Sequence, residues 1–350
     1  MSIWQRVWLV TASQTLGFLL VSVSCFNSRD PQFFFLALLA CLFVGLSQSV
    51  GEASFLGFLK QYPSHFVGFA SSGTGFAGIA GTLLILFLNQ AMAIDYAWIY
   101  LWTAPLFALF IVSFNWLCCH PYPLSSEQLL QAFQNQSLLG TETNPALADG
   151  EGPSRRAAKN TGLAARGNSL SLSGMRQGLR KEGGLIANLF CVYFFEYCIF
   201  GCFADRMALA MRHKYPERAD SLEVKQFFTV LNNSYQVGVF LSRSSLQCFQ
   251  VRRVSIFTLF QALNFALMLL NTRYMWVESL QILSLLFVWV GLMGGASYVN
   301  VFKLMLDSER LEEKEKEVAV VTSLVFNDLG VLLASLFTLA ADNSFLRSTG

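Results

Sequence analysis

Arg243 stands in the string Tyr235-Gln-Val-Gly-Val-Phe-Leu-Ser-Arg243-Ser-Ser-Leu246, about midway along an apolar stretch, Thr229 to Phe249, long enough to cross a bilayer. A cation at the bilayer centre costs from about 3 kcal/mol upward, so such a residue faces a polar cavity or a partner rather than lipid. Guanidinium grips phosphate or carboxylate through two parallel hydrogen bonds. Capture of an anionic group is therefore one reading of Arg243, and a structural ion pair with an acid is the other.

Three acids lie equally deep in apolar sequence: Glu52, Glu196 and Asp328. Glu52 sits among Ser47, Gln48, Gly51 and Ser54, and spacings of three and four place Gln48, Gly51 and Glu52 on one side of a helix. It can carry a proton, contact a polar solute, or simply be satisfied by nearby hydroxyls and amides. Glu196 is flanked by aromatics in Val192-Tyr-Phe-Phe-Glu-Tyr-Cys-Ile, where an unpaired carboxylate has no structural excuse. Asp328, in Val325-Phe-Asn-Asp-Leu-Gly330, fits either a functional acid or a polar spot near a kink. Ser71, Ser72, Thr74, Tyr298 and Asn300 need polar partners inside the bilayer and are candidates for a cavity lining. Gly73, Ala77 and Gly81, and likewise Gly291 and Gly295, recur every four residues and read as surfaces of close helix approach.

The elements that must hold these groups are membrane helices. Hydrophobic residues make up 54% of the 350, with 33 Phe and only 13% charged residues, which excludes an ordinary soluble domain. A hydrocarbon core of roughly 30 Å needs about 20 apolar helical residues. Nine such runs occur, near 5–25, 33–59, 66–89, 96–119, 184–204, 228–249, 254–272, 277–301 and 318–341. They are continuous rather than alternating, which favours helices over a barrel. The expected fold is all-α and polytopic, and the bilayer itself is the first partner. The first run has no convincing cleavage site and reads as a retained span. All eight Cys lie in or at the ends of runs, without paired spacing, and read as small apolar side chains.

One long break, 120–183, is rich in Gly, Ser, Asn and charge and is expected to be a disordered linker. It divides the chain into a four-span bundle, 1–119, and a five-span bundle, 184–350. Its Arg and Lys residues place it in the cytosol, and alternation outward from it puts most of the 24 Lys and Arg on that side. Two halves joined by a linker suggest a transporter with its site between them, although no internal repeat is visible. The charged segment 303–317 reads as a solvated or interfacial helix between the last two spans. No Walker loop, metal-ligand spacing or dinucleotide fingerprint occurs, and His65, His120 and His213 are isolated, so neither an enzyme, a metal or cofactor, nor a nucleic-acid partner is expected.

Five strings then carry a resemblance: Val50-Gly-Glu-Ala-Ser-Phe-Leu56, Ser71-Ser-Gly-Thr-Gly-Phe-Ala-Gly78, Tyr193-Phe-Phe-Glu-Tyr197, the Arg243 string, and Gly291-Leu-Met-Gly-Gly-Ala-Ser-Tyr-Val-Asn-Val-Phe302. In this order they resemble the battenin family, the Batten disease lysosomal membrane protein family. The resemblance implies a major-facilitator-like bundle in the lysosomal or vacuolar membrane. It also implies a role in luminal pH, basic amino-acid levels and the clearance of glycerophosphodiesters. Members usually carry two further spans before the first one here, so the chain is expected to be N-terminally short, with one cavity wall open unless a partner closes it. Lys303 stands where the family commonly has His, and the prenylation box of some members is not seen in Phe345-Leu-Arg-Ser-Thr-Gly350. The expectation is a transporter of small polar or anionic solutes, with Glu52, Glu196, Arg243 and Asp328 for substrate contact or proton coupling and Ser71, Ser72, Tyr298 and Asn300 lining the cavity. From another class, a non-transporting scaffold acting on trafficking or proton pumping through partners of the linker is the alternative.

Overall fold

The computed structural model describes residues 3–59, 65–119, 172–218, 221–245 and 250–344. In chain order the helices are α1 (Ile3–Phe26), α2 (Phe34–Leu59), α3 (His65–Leu86), α4 (Tyr96–Thr103), α5 (Ala108–Cys119), α6 (Leu172–Tyr197), α7 (Ala204–Lys214), α8 (Leu222–Lys225), α9 (Phe227–Ser244), α10 (Ser255–Tyr274), α11 (Leu280–Leu306) and α12 (Glu313–Asn343). No strand occurs among the described residues, so the protein is an all-α polytopic membrane protein. A 3-10 turn, Ala104–Phe107, opened by Pro105, bends α4 into α5, and the two form one span.

Eight stretches among the described residues are long and apolar enough to cross a bilayer, against the nine expected. The difference is α9. It carries Asn232, Asn233, Ser234, Gln236 and Arg243 in 18 residues, which makes it too polar to face lipid all round. It lies between α11 and α3, its principal neighbours. The α9–α11 contact is backbone against backbone. A Cβ on Gly238 would stand 2.1 Å from the Val288 carbonyl, one on Gly291 would stand 2.1 Å from the Tyr235 carbonyl, and one on Gly295 would stand 2.2 Å from Ser242 Oγ. Helices without a hydrophobic driving force between them gain their adhesion from such close approach.

On α3 the expected glycine register needs correcting. Gly73 and Gly81 have open space beside them, while Gly75 and Gly78, on the other face, seat Phe240 and Gln236 of α9. Four-residue spacing identifies a stripe but not the side on which the neighbour stands.

Two other expectations change. Of the linker expected at 120–183, residues 120–171 lie outside the described residues, whereas Leu172 to Gly183 belong to α6, bent at Glu182 (φ −123°, ψ 25°). Gly178 there rests on Ala319 of α12, Lys181 pairs with Glu315 at 2.6 Å, and Ser308 donates to Glu182 at 2.6 Å, partners that a composition argument cannot supply. The charged segment 303–317 is no separate helix. Lys303 to Leu306 complete α11, and Glu313 onward opens α12 behind a capping box between Glu312 and Glu315. Lys303 pairs with Asp307 at 3.0 Å, so its charge is taken up at the helix end.

Buried apolar side chains form two clusters. One joins α6, α11 and α12 near the linker end, and the other joins α7, α9, α10 and α11 towards the far end. Asn188 stitches the first together, donating to the Val254 carbonyl at 2.8 Å and accepting from Ser297 at 2.9 Å. The seven cysteines among the described residues are free thiols, and Cys248 lies outside them.

Candidate functional site

The seam where α2, α3, α6, α9 and α11 meet collects polar groups as far apart in sequence as Glu52 and Tyr298, 246 positions. Of the apolar stretch Thr229 to Phe249, residues 246–249 lie outside the described residues. Helix α9 ends at Ser244, whose successor's N–H bonds back to the Leu241 and Ser242 carbonyls, so the guanidinium occupies the last helical turn. A cation there is favoured by the partial negative charge of the helix end, worth typically about 0.3–1 kcal/mol.

The guanidinium donates to Thr74 Oγ1 at 2.6 Å and to the Tyr193 hydroxyl at 3.4 Å, and it lies 4.4 Å from the centre of the Tyr298 ring. Its Nε is buried with no hydrogen-bond partner. No carboxylate among the described residues pairs with it. The charge is met by hydroxyls and an aromatic face, which attract a cation without neutralising it.

Each deep glutamate is held by a tyrosine. Tyr298 donates its hydroxyl to Glu52, and Tyr235 donates to Glu196 at 2.7 Å. Glu196 is fully buried, and room for it exists only because α11 has Gly294 opposite, where a Cβ would stand 2.0 Å from Oε1. Tyr193 stacks on Tyr197 at 6.0 Å and tilts against Tyr298 at 6.4 Å, so aromatic rings fill the space between the two acids and the guanidinium. Immediately after Tyr197, α6 widens into a π turn, Cys198–Phe203, which re-aims the chain before α7 begins. Such turns recur beside functional sites.

The four expected ionisable residues do not all occupy one pocket. Glu52, Glu196 and Arg243 converge on the tyrosine cluster, whereas Asp328 is exposed on the α2–α12 seam, accepting from Ser49 at 3.0 Å. Among the expected lining residues, Tyr298 is central. Ser71 is buried, Ser72 donates to the Gly68 carbonyl at 2.9 Å, and Thr74, which donates to the Ser71 carbonyl, is the member of that turn that meets Arg243. Asn300 accepts from the Val251 N–H at 2.7 Å and donates to the Ala296 carbonyl at 2.8 Å, so its amide secures the approach to α10 rather than a cavity. Gly51 turns away from Glu52 and faces Val10 of α1, at 3.3 Å for a Cβ. Tyr193, Tyr197 and Tyr235 were not singled out from sequence. Their signal was the aromatic flanks of Glu196 and the Tyr that opens the Arg243 string.

A profile described as CLN3 protein matches residues 1–348. The chain belongs to the CLN3, or battenin, family. It is 29% identical over 321 residues to the protein named Battenin of Dictyostelium discoideum, covering 88% of this chain and 73% of that one. It is 28% identical over 307 residues to Battenin of Canis lupus familiaris, covering 87% of this chain and 64% of that one. It is 26% identical over 355 residues to Protein BTN1 of Saccharomyces cerevisiae, covering 98% and 80%. The five strings that carried the battenin resemblance each supply a residue to the seam just described: Glu52, Thr74, Tyr193 with Glu196, Arg243 with Tyr235, and Tyr298 with Gly294.

Proposed function

We propose that this battenin-family chain is a transporter of the lysosomal or vacuolar membrane. It carries small polar solutes that bear an anionic group, glycerophosphodiesters or amino acids with basic side chains, and thereby supports luminal pH homeostasis. The observation that carries the reading is the Arg243 guanidinium, held by Thr74, Tyr193 and the Tyr298 ring, with Nε unused and no carboxylate among the described residues paired to it. The guanidinium is half-buried, but an Nε sealed from solvent without a partner is costly, and a phosphodiester or carboxylate offers two oxygens to which a guanidinium edge can donate. Binding there would draw Arg243 away from Tyr298 and so loosen the hydroxyl's hold on Glu52. Glu52 and Glu196, each held by one tyrosine, are the groups placed to exchange a proton in step with solute movement. The chemistry is recognition and relocation of a solute.

The test uses lysosomes from cells lacking the endogenous protein, complemented with this chain, with Arg243→Ala, or with the chain lacking residues 121–171, a deletion that leaves α6 and its contacts to α12 whole. Glycerophosphodiester and basic amino-acid contents are measured at matched abundance and location. Transport predicts clearance by the intact chain and accumulation with Arg243→Ala. If Arg243→Ala clears normally and only the linker deletion fails, a scaffold acting through partners of the linker replaces this reading.

A further inference from the structure

At the end of the bundle away from Arg243, where α3, α7, α8 and α9 come together, lies an open cleft of about 500 Å³. Its walls include Asn89 and Gln90 from the π turn after α3, Tyr96, Asp205 and Arg212 of α7, Lys225, and Phe228 and Thr229 at the start of α9. We propose that this cleft is a binding site for a small zwitterion, a solute carrying an oxyanion and a separated cation in one molecule.

The sign of the lining charges decides the class. Arg212 and Lys225 offer two cations, and Asp205 offers one anion. Among the described residues none of the three is ion-paired, while the neighbouring Arg206 and Lys214 are taken up by Asp342 and Glu278. A simple anion held by the two cations would leave Asp205 unanswered. A simple cation would meet two positive groups. A zwitterion answers both.

Geometry adds a length. Asp205, Ala208, Leu209 and Arg212 all line the cleft and fall at helical spacings on one face of α7, so the acid and the arginine stand two turns apart, about 10 Å along the axis. Arg212 is steadied by an Nη2 hydrogen bond to the Lys225 carbonyl at 3.4 Å, which ties the two cations to one corner. Tyr96 and Phe228 supply aromatic faces that suit an alkylammonium group, and the Asn89 and Gln90 amides suit hydroxyls or phosphate oxygens. The volume lies within the usual range for small-molecule sites, about 300–1,000 Å³.

The cleft contributes no residue to the Arg243 cluster, so this inference goes beyond transport and can fail independently. The two places are nonetheless joined along α9. Thr229, Asn233, Gln236, Phe240 and Arg243 recur at helical spacing, and the last three face Gly78, Gly75 and Thr74 of α3.

The experiment is calorimetric titration of the full chain in maltoside detergent with phosphocholine, inorganic phosphate and choline. Phosphocholine is expected to bind at least about tenfold more tightly than either fragment, because only it answers both charges. Asp205→Asn should erase the preference over phosphate, and Arg212→Gln with Lys225→Gln should abolish the preference over choline. These side chains are exposed, and far-UV circular dichroism checks that each variant is folded. Repeating the titration in nanodiscs of phosphatidylcholine and of phosphatidylglycerol separates the two sources of such a group. Weakened binding in the former identifies a lipid headgroup as occupant, and equal binding identifies a free solute. Absence of phosphocholine binding, binding unchanged by the Asp205 and Arg212 substitutions, or loss of the signal in Arg243→Ala would overturn the assignment.

Discussion

At the scale of the residue, the chemistry of the seam rests on a cation held by neutral groups. Lysine in place of Arg243 would keep the charge but lose the planar fork that meets two oxygens at once. Arg243→Lys is therefore expected to reduce solute clearance about tenfold or more at unchanged protein level, roughly 1.4 kcal/mol of binding. Clearance equal to that of the parent would show that only charge is used. Tyr298 has two duties, the hydroxyl on Glu52 and the ring under Arg243. Tyr298→Phe keeps the ring and removes a donor from the half-buried carboxylate, so unfolding in detergent should be easier by about 1 kcal/mol, the low end of the cost of an unmet polar group. Thermal unfolding measured beside Tyr298→Leu, which loses both, separates the duties.

At the scale of the element, glycine position decides what a helix tolerates. Gly291 lies 2.1 Å, at its absent Cβ, from the Tyr235 carbonyl, and backbone cannot move aside as a side chain can. Gly291→Ala should push α9 and α11 apart and destabilise the protein by about 1–3 kcal/mol, the range for overpacking. Gly73, with nothing near, is the control: Gly73→Ala should be neutral or raise stability by about 0.5–1 kcal/mol through helix propensity. Comparison of melting temperatures checks both, and equal effects would refute the assigned faces. From sequence the two stripes looked alike, since both repeat every four residues. Only the neighbour distinguishes Gly73 from Gly75, and a periodicity contains no neighbour.

At the scale of the whole molecule, the far end is fastened by a clasp in the loop before α11. Glu278 accepts from the Lys214 ammonium and, at 2.7 Å, from the Tyr215 hydroxyl. These donors, Lys214 first, hold the Glu278 carboxyl below its ordinary value of 4.5. A carboxyl depressed in the folded state binds fewer protons there than in the unfolded chain, so stability rises with pH through that window. The clasp's contribution is complete above the ordinary carboxyl value and is lost as pH falls through the lower folded value. A mildly acidic compartment leaves it closed. Glu278→Gln should accordingly lower the melting temperature near neutral pH and flatten its fall in strong acid, and identical acid limbs would rule the clasp out.

The sequence by itself determined the membrane-helical class, most of the helix positions, and the residues whose burial demands an explanation. Each of those follows from local free energy: the cost of placing a charge or an unpaired amide in hydrocarbon is paid wherever the chain goes. Glu52, Glu196 and Arg243 were visible for that reason. Tertiary structure alone decided which groups answer them. Tyr298 lies 246 positions from Glu52 and Tyr235 lies 39 from Glu196, and Asp328, as deep in sequence as the others, ends on an open seam with Ser49. A hydrogen bond between distant positions depends on how helices cross. Crossing is set by backbone contact at Gly238, Gly291 and Gly295, a property of pairs of helices that no single stretch of sequence contains.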